Sequence, residues 1–522
     1  MPQQMSRNNT GAQSMTLGRR DFLRVAGAGV AGLACAATAP YAAAKQAETP
    51  LNVMLIVLDD LNDWVGCLGG HPDTKTPNID RLATRGILFT NAHACATVCG
   101  PSRISLLTSV RPSTSGIFSN GQDMRDSPAL QNALTLPQHL RRDGYQAVML
   151  GKVLDLKDPD PQSWNRYWPQ KSRWVKRKLR KDFVLKKMER SRRAEAWYRN
   201  WTEPPAAESE KDIRIGGVPS RTVDEVSDAS TASRTAAFLQ KDHDRPFFLA
   251  VGLTQTHSGS MSAAPKTYAD QFPPENVTLP VEREADLADV PPAHQELGYK
   301  KGLDKLVHLH RKARRGVANY LSNVALGDAM AGRILDALQA SRYADNTLVV
   351  LTSDQGYHLG SKERWGKSTL WEESTRVPLI FAGPGITAGR RSDAPVDLAD
   401  VYPTIAELCR TPPPANLEGH SLKPLLDNPE ISWEHAAITT QLAKHHAVRT
   451  RRWRYIRYAD GSEELYDHAK DPHEWFNLAD DPQNAHVKQQ QAKHLPRGEA
   501  PEIPFATPPK DILEKLGIDA KP

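Results

Sequence analysis

The stretch NVMLIVLDD, residues 52–60, decides the fold. Residues 53–58 are apolar without a break, and a strand that never alternates with polar residues is covered on both faces, as in a parallel sheet between helices. Runs of the same character recur at 145–150, 246–253, 347–352 and 377–382, with helical or turn-rich stretches between them. The expected fold class is therefore α/β, with a mixed, mostly parallel sheet between helices. In such sheets ligands gather beyond the carboxyl ends of the strands. Four of the five runs lead onto polar residues there: Asp59-Asp60, Gly151-Lys152, His257 and Asp354-Gln355. That recurrence points to one shared site.

Helical periodicity returns at 318–338, and prolines and acidic residues cluster at 272–292 in a predicted loop. Beyond about residue 425 short aromatic strands take over. Trp453-Arg454-Tyr455-Ile456-Arg457-Tyr458 and Glu464-Leu465-Tyr466 flank an Asp460-Gly461 turn. The predicted organisation is a catalytic domain at 48–425 and a small α+β subdomain at 426–522, built on an antiparallel sheet.

At the N-terminus, Gly18-Arg19-Arg20-Asp21-Phe22-Leu23-Arg24 precedes an uncharged run at 25–44 rich in alanine and glycine. This reads as a twin-arginine export signal at 1–44, with cleavage after Ala42-Ala43-Ala44, and predicts a periplasmic or secreted protein. A buried or membrane helix is the alternative, but glycine breaks the run where a stable span favours leucine. Cys35, after Leu33-Ala34, matches a lipoprotein site poorly, so lipid anchoring is not expected.

The chain has 522 residues, 39% hydrophobic and 25% charged, enough for a large core and a second, smaller lobe. A formal net charge of +6, unevenly spread, does not indicate a nucleic-acid binder. Its densest part is the basic stretch at 171–193, either a solvated helix with a narrow apolar face or a surface for a polyanionic substrate. Five cysteines form an odd and sparse set with no zinc-type spacing, so no disulfide framework is expected and any metal should be held by oxygen ligands.

The chemistry centres on Cys99-Gly100-Pro101-Ser102-Arg103. Pro101 suits the first turn of a helix, so Cys99 falls at its N-terminus with Arg103 one turn on. Backbone N–H groups, the helix dipole and a guanidinium then converge on one point and favour an anion, and a thiolate there is expected to have a lowered pKa. A buried structural cysteine is the plainer alternative, but it leaves the recurrence of Asp59-Asp60 and Asp354 unexplained. Asp59-Asp60 alone could be an ordinary turn after a strand. Together with Asp354-Gln355, adjacent carboxylates that repel one another call for a cation.

Cys99, Pro101, Ser102, Arg103, Leu107 and Thr108 match the signature Cys-x-Pro-Ser-Arg-x-x-x-Leu-Thr. On this, and on Pro77-Asn78-Ile79-Asp80-Arg81-Leu82-Ala83, Thr352-Ser353-Asp354, Trp365-Gly366-Lys367, Trp371-Glu372-Glu373 and Leu465-Tyr466-Asp467, the chain resembles the formylglycine-dependent type I sulfatases of the alkaline phosphatase superfamily, in particular iduronate-2-sulfatase-like and bacterial polysaccharide sulfatases. The resemblance implies that a separate maturation enzyme oxidises Cys99 to Cα-formylglycine. One hydroxyl of the hydrate attacks sulfur, the alcohol leaves, and the second hydroxyl expels sulfate. It also implies Ca²⁺ held by Asp59, Asp60, Asp354, Gln355 and the modified Cys99. Arg103 holds the hydrate, Lys152 and Lys367 bind sulfate, and His257 protonates the departing alkoxide. His358, just past the metal pair, is assigned either a substrate contact or a structural role.

Three positions depart from the family pattern: Asp155 where many members have histidine, Gln355 where asparagine or histidine is usual, and Ser109 where glycine is common. The implied function is hydrolysis of sulfate esters on a sulfated carbohydrate, with the maturation enzyme and the twin-arginine translocation machinery as further partners. The alternatives are a phosphonate or phosphate monoester hydrolase, and a non-catalytic binder of sulfated glycans.

Overall fold

The computed structural model describes residues 50–155, 160–169, 222–257, 259–261, 263–295 and 312–504. The predicted export signal and the basic stretch at 171–193 lie outside these residues. The strands, in chain order, are β1 (Asn52–Leu58), β2 (Gly86–Phe89), β3 (Ala92–His93), β4 (Gln146–Gly151), β5 (Arg166–Trp168), β6 (Phe247–Leu253), β7 (Thr347–Ser353) and β8 (His358–Leu359). They continue as β9 (Trp365–Gly366), β10 (Leu379–Ala382), β11 (Arg390–Ser392), β12 (Val396–Asp397), β13 (Ala437–Thr440), β14 (His446–Arg449), β15 (Trp453–Arg457) and β16 (Glu463–Asp467).

Eight of them form one sheet in the order β11-β2-β10-β7-β1-β6-β4-β5. β1 sits inside it, parallel to β7 on one side and to β6 on the other, and β4 and β5 continue the parallel run. All five apolar runs are in this sheet. The last, β10, enters antiparallel between β7 and β2, which makes the sheet mixed as expected.

The unbroken apolar pattern of β1 has its reason in the two cores. Met54, Ile56 and Leu58 face one cluster, with Leu321, Val324 and Ile334, while Val53, Leu55 and Val57 face the other, with Ile104, Leu107 and Ile405. Helices α1 (Pro77–Thr84), α4 (Ser227–Leu239) and α5 (Ala313–Gln339) cover the first face. Helices α2 (Cys99–Thr108), α3 (Leu136–Arg142) and α6 (Val401–Leu408) cover the second. The long helix α5 begins five residues before its predicted start and is buried along most of its length.

The C-terminal strands form the expected antiparallel sheet, β13-β14-β15-β16, with Gly461 at φ +87° in the turn between β15 and β16. Both sheets belong to one compact unit, Thr49–Pro522. The junction between them is ionic as well as apolar. Glu372, after Trp371, meets Arg449 at 3.1 Å and also pairs with Arg454, while Glu474 meets Arg454 at 2.5 Å and His468 at 2.9 Å. The predicted loop at 272–292 packs Leu287 and Val290 against Trp371 and Tyr466 at this junction. Among the described residues no helix is long and apolar enough to cross a membrane, and Cys67, Cys95, Cys99 and Cys409 are all free thiols.

Candidate active site

The carboxyl ends of β7, β1, β6 and β4 lie side by side, so Asp354-Gln355, Asp59-Asp60, His257 and Lys152 arrive at one edge of the sheet. Gly151 ends β4 at φ +77°, and a Cβ there would lie 2.1 Å from the Gly252 carbonyl oxygen, so only glycine lets β4 turn against β6 and deliver Lys152. Asp60 holds a left-handed backbone, φ 61°, uncommon for a residue with a Cβ. Its N–H donates to Asp354 Oδ1 at 3.0 Å, and its carbonyl accepts from Tyr320 Oη at 2.8 Å. Those contacts hold the turn that aims both aspartates inward.

Helix α2, which opens at Cys99, comes in from the other face. Val98 is extended at φ −138°, Cys99 opens α2, and Ser109 closes it in the left-handed conformation, φ 53°. A left-handed cap of this kind is the conformation that glycine adopts without strain. The Ser109 hydroxyl accepts the Gly419 N–H at 3.0 Å. Ser102 Oγ donates to the Asp354 carbonyl at 2.5 Å, and Arg103 Nε and Nη2 donate to Asp354 Oδ2 at 2.7 Å and Asp59 Oδ1 at 3.0 Å. Arg103 is wholly buried and also donates to the Lys152 carbonyl.

Around Cys99 Sγ stand Lys367 Nζ at 2.9 Å, Asp59 Oδ1 at 3.5 Å, Gln355 Nε2 at 3.7 Å and Asp60 Oδ1 at 3.9 Å. Lys367 also meets Asp60 at 2.5 Å, and Lys152 meets Asp59 at 2.8 Å and Asp155 at 2.9 Å. His257 Nε2 is 4.0 Å from Asp60 Oδ2, with its side chain 45% exposed toward solvent. The sequence-predicted residues Asp59, Asp60, Cys99, Arg103, Lys152, His257, Asp354, Gln355 and Lys367 therefore converge on one point.

His358 does not join them. It is fully buried, its Nδ1 is bonded to Ser361 Oγ at 2.8 Å and its Nε2 to Thr369 Oγ1 at 2.7 Å, and both ring nitrogens are thus engaged away from the site. The substrate contact assigned to it is replaced by a structural role under the β8–β9 hairpin. The lowered thiol pKa expected for Cys99 is also corrected. Burial raises it well above the ordinary value, and Asp354 and Asp59 add to this, outweighing Lys152 and Lys367.

Burial also opposes ionisation of Asp59, but Lys152, His257, Arg103 and Lys367 hold it well below the usual carboxylate range. Asp60 is lowered in the same way, against burial, mainly by Lys367 and His257. Asp354 goes the other way. Burial, with Asp59 and Asp60 beside it, pushes it up to about 7 in spite of Arg103. A third negative charge in this pocket is thus costly without a further cation.

The donor set fits a hard divalent ion. Asp59, Asp60, Cys99 and His257 each bring a ligand atom within 4.8 Å of the others, and the two aspartates offer the oxygen that Ca²⁺ and Mg²⁺ require, while the Asp354 oxygens accept from Asp60 N, Gln355 N and Arg103 Nε. Gln355 Oε1 is buried without a hydrogen-bond partner in the protein, while its Nε2 donates to Asp60. An orphaned buried carbonyl on the amide that contacts Asp60 is what a cation would satisfy. A second group, Glu372, His468 and Glu474, has comparable spacing. There Arg449 and Arg454 pair with the carboxylates.

Two contributors escape sequence reasoning. Asn120 accepts the Gly100 N–H at 2.6 Å, capping α2 where Val98 has no side-chain acceptor, yet Ser119-Asn120-Gly121 reads only as a turn. Asp228, in the first turn of α4, accepts the N–H groups of Thr254 and Gln255 at 2.8 and 2.7 Å and so holds the loop that carries His257. A buried acid receiving two N–H bonds has no local sequence signature.

Comparison with known proteins gives a consistent result. The family model described as Sulfatase matches residues 51–411, and one described as N-sulphoglucosamine sulphohydrolase, C-terminal, matches residues 360–500. A protein named Sulfatase from Formosa agariphila is 33% identical over 465 residues, covering 86% of this chain and 87% of that one. The iduronate 2-sulfatase of Homo sapiens is 29% identical over 424 residues, 72% of each chain. Among solved structures, the phosphonate monoester hydrolase of Agrobacterium radiobacter superposes with a TM-score of 0.65 at 26% identity, covering 85% of this chain and 96% of that one.

Proposed function

The chain belongs to the sulfatase family and is a sulfuric ester hydrolase, and we propose that it removes sulfate from a sulfated saccharide using Cys99 in its formylglycine form together with Ca²⁺. The observation that carries this reading is the convergence of Lys367, Lys152 and Arg103 around Cys99 Sγ and its two aspartates. Twin-arginine export, proposed on Arg19-Arg20, would bring the enzyme to polysaccharides outside the cytoplasm.

The side chains of Asp59, Asp60, Asp354 and Gln355 would hold the ion, which when bound would supply positive charge to polarise the sulfate oxygens. Hydration of formylglycine supplies a geminal diol at the position the Cys99 thiol occupies. Lys367 and Lys152 are placed to hold the sulfate oxygens as negative charge redistributes at the transition state. Their ammonium groups stay charged, because for each the neighbouring carboxylates outweigh burial. Arg103 binds Asp354 and Asp59 with separate N–H groups and keeps the acidic pair in place. His257, half-exposed beside Asp60, is the group to give the departing alkoxide its proton.

The deciding experiment is peptide mass spectrometry across Cys99 on protein from its native host, joined to sulfate release from a panel of sulfated oligosaccharides. A formylglycine mass with sulfate release is the expected result. Unmodified cysteine in active protein would overturn the mechanism. The likeness to a phosphonate monoester hydrolase favours a second reading, hydrolysis of phosphonate or phosphate monoesters. Matured enzyme given matched sulfate, phosphate and phosphonate esters separates the two by which it cleaves fastest.

A further inference from the structure

We propose that the edge strand β5 carries a saccharide subsite, in which Trp168 stacks on the sugar next to the sulfated one and Arg166 pairs with an anionic group one unit further out. This rests on the sulfated-saccharide reading above and adds where the rest of the chain lies.

The placement comes from strand register. β5 runs parallel to β4 with Val148 opposite Arg166 and Leu150 opposite Trp168, and Lys152 follows Leu150 by two residues. Trp168 therefore sits one strand outward from β4, at the carboxyl end of the sheet, while Lys152 carries its ammonium inward to Asp59 at the end of β1. Paired residues of parallel strands project to the same side, so Arg166 and Trp168 share a face, about 7 Å apart along the strand, and Tyr167 takes the other.

The surface is exposed where a core strand would be covered. All three β5 residues are exposed, and Trp168 keeps 41% of its surface open although Leu150 beside it is buried. A tryptophan face matches the C–H face of a pyranose ring, and a guanidinium matches a sulfate or carboxylate. Outward from the site β5 thus offers an aromatic face at Trp168 and, two residues back along the strand, a cation at Arg166. A sulfated oligosaccharide presents the complementary sequence of scissile sulfate, ring and next anion.

The test compares Trp168→Ala, Trp168→Phe and Arg166→Gln with the wild type, on a multiply sulfated tetrasaccharide that the wild type cleaves and on 4-methylumbelliferyl sulfate. For the tetrasaccharide, Trp168→Ala is expected to raise KM about tenfold with kcat nearly unchanged, since 1.4 kcal/mol of stacking is one decade. Trp168→Phe should keep most of the affinity, and Arg166→Gln should raise KM and weaken its dependence on salt. Neither kinetic constant for the aryl sulfate should move. An unchanged tetrasaccharide KM in Trp168→Ala overturns the subsite and leaves the sulfatase reading intact. Equal losses on both substrates overturn it too, because they mark damage to the centre itself. A wild type that cleaves the aryl sulfate but releases sulfate from no oligosaccharide overturns the saccharide reading and the subsite with it.

Discussion

Arg103 and Asp354 set the charge balance at the scale of single residues, where the site is tightly drawn. Cys99→Ala removes the nucleophile and little volume, so activity should fall by about four orders of magnitude or more, with an unchanged thermal midpoint. Asp354→Ala should lose calcium and activity together, read by elemental analysis of dialysed protein. Because it also strips Arg103 of one buried partner, Asp354→Asn, which keeps the shape, separates ion binding from folding. His358 gives a prediction of a different kind. Burial lowers it to about 3, against 6.5 when unfolded. Between those values the unfolded chain binds more protons, so stability should be lost as pH falls through that window. Thermal midpoints measured from pH 7 to 3 should show the loss, and His358→Gln should flatten it. Asp59, Asp60, Lys152, His257, Asp354, Gln355 and Cys99 were legible because each follows a strand or opens a helix, Arg103 because it lies one turn into that helix, and Lys367 through the family resemblance. Asn120 and Asp228 were not, because their partners lie 20 and 26–27 positions away in sequence and meet them only on folding.

Elements deliver these residues, and their ends matter more than their middles. β4 can bring Lys152 to Asp59 only because Gly151 takes a positive φ against the Gly252 carbonyl. Gly151→Ala should therefore cost more than the ~1 kcal/mol of an ordinary backbone substitution and should lower activity through Lys152. Urea unfolding alongside kinetics checks both halves, and an active variant of unchanged stability would refute the close approach. The five apolar runs announced β1, β4, β6, β7 and β10 to within two residues, but not the short β9 that precedes Lys367. Two features stayed hidden at this scale. The entry of β10 is antiparallel, since an apolar run covered on both faces reads the same in either direction. The role of β5, three exposed residues on an edge, lacks the apolar pattern by which its neighbours were found.

For the molecule as a whole, the buried ionic cluster joins the C-terminal sheet to the body that carries the site. Burial alone would neutralise Glu372, but Arg449, His468 and Arg454 keep it well below the usual carboxylate range. Glu372→Ala would leave two guanidinium groups short of a partner and should destabilise the protein by about 3–5 kcal/mol. A stability loss well under that range in chemical unfolding would show that Glu474 alone can carry the cluster. The sequence by itself determined the α/β sheet, the helix that opens at Cys99, the antiparallel C-terminal strands and the gathering of polar residues beyond the strand ends, because periodicity and strand-end chemistry are local properties. Only the tertiary structure decided that burial raises the Cys99 thiol pKa, that both His358 ring nitrogens are engaged away from the site, and that Arg103 ties Asp59 to Asp354. Each of those outcomes depends on desolvation and on which charges from distant segments meet in one pocket, and neither is written in any single stretch of chain.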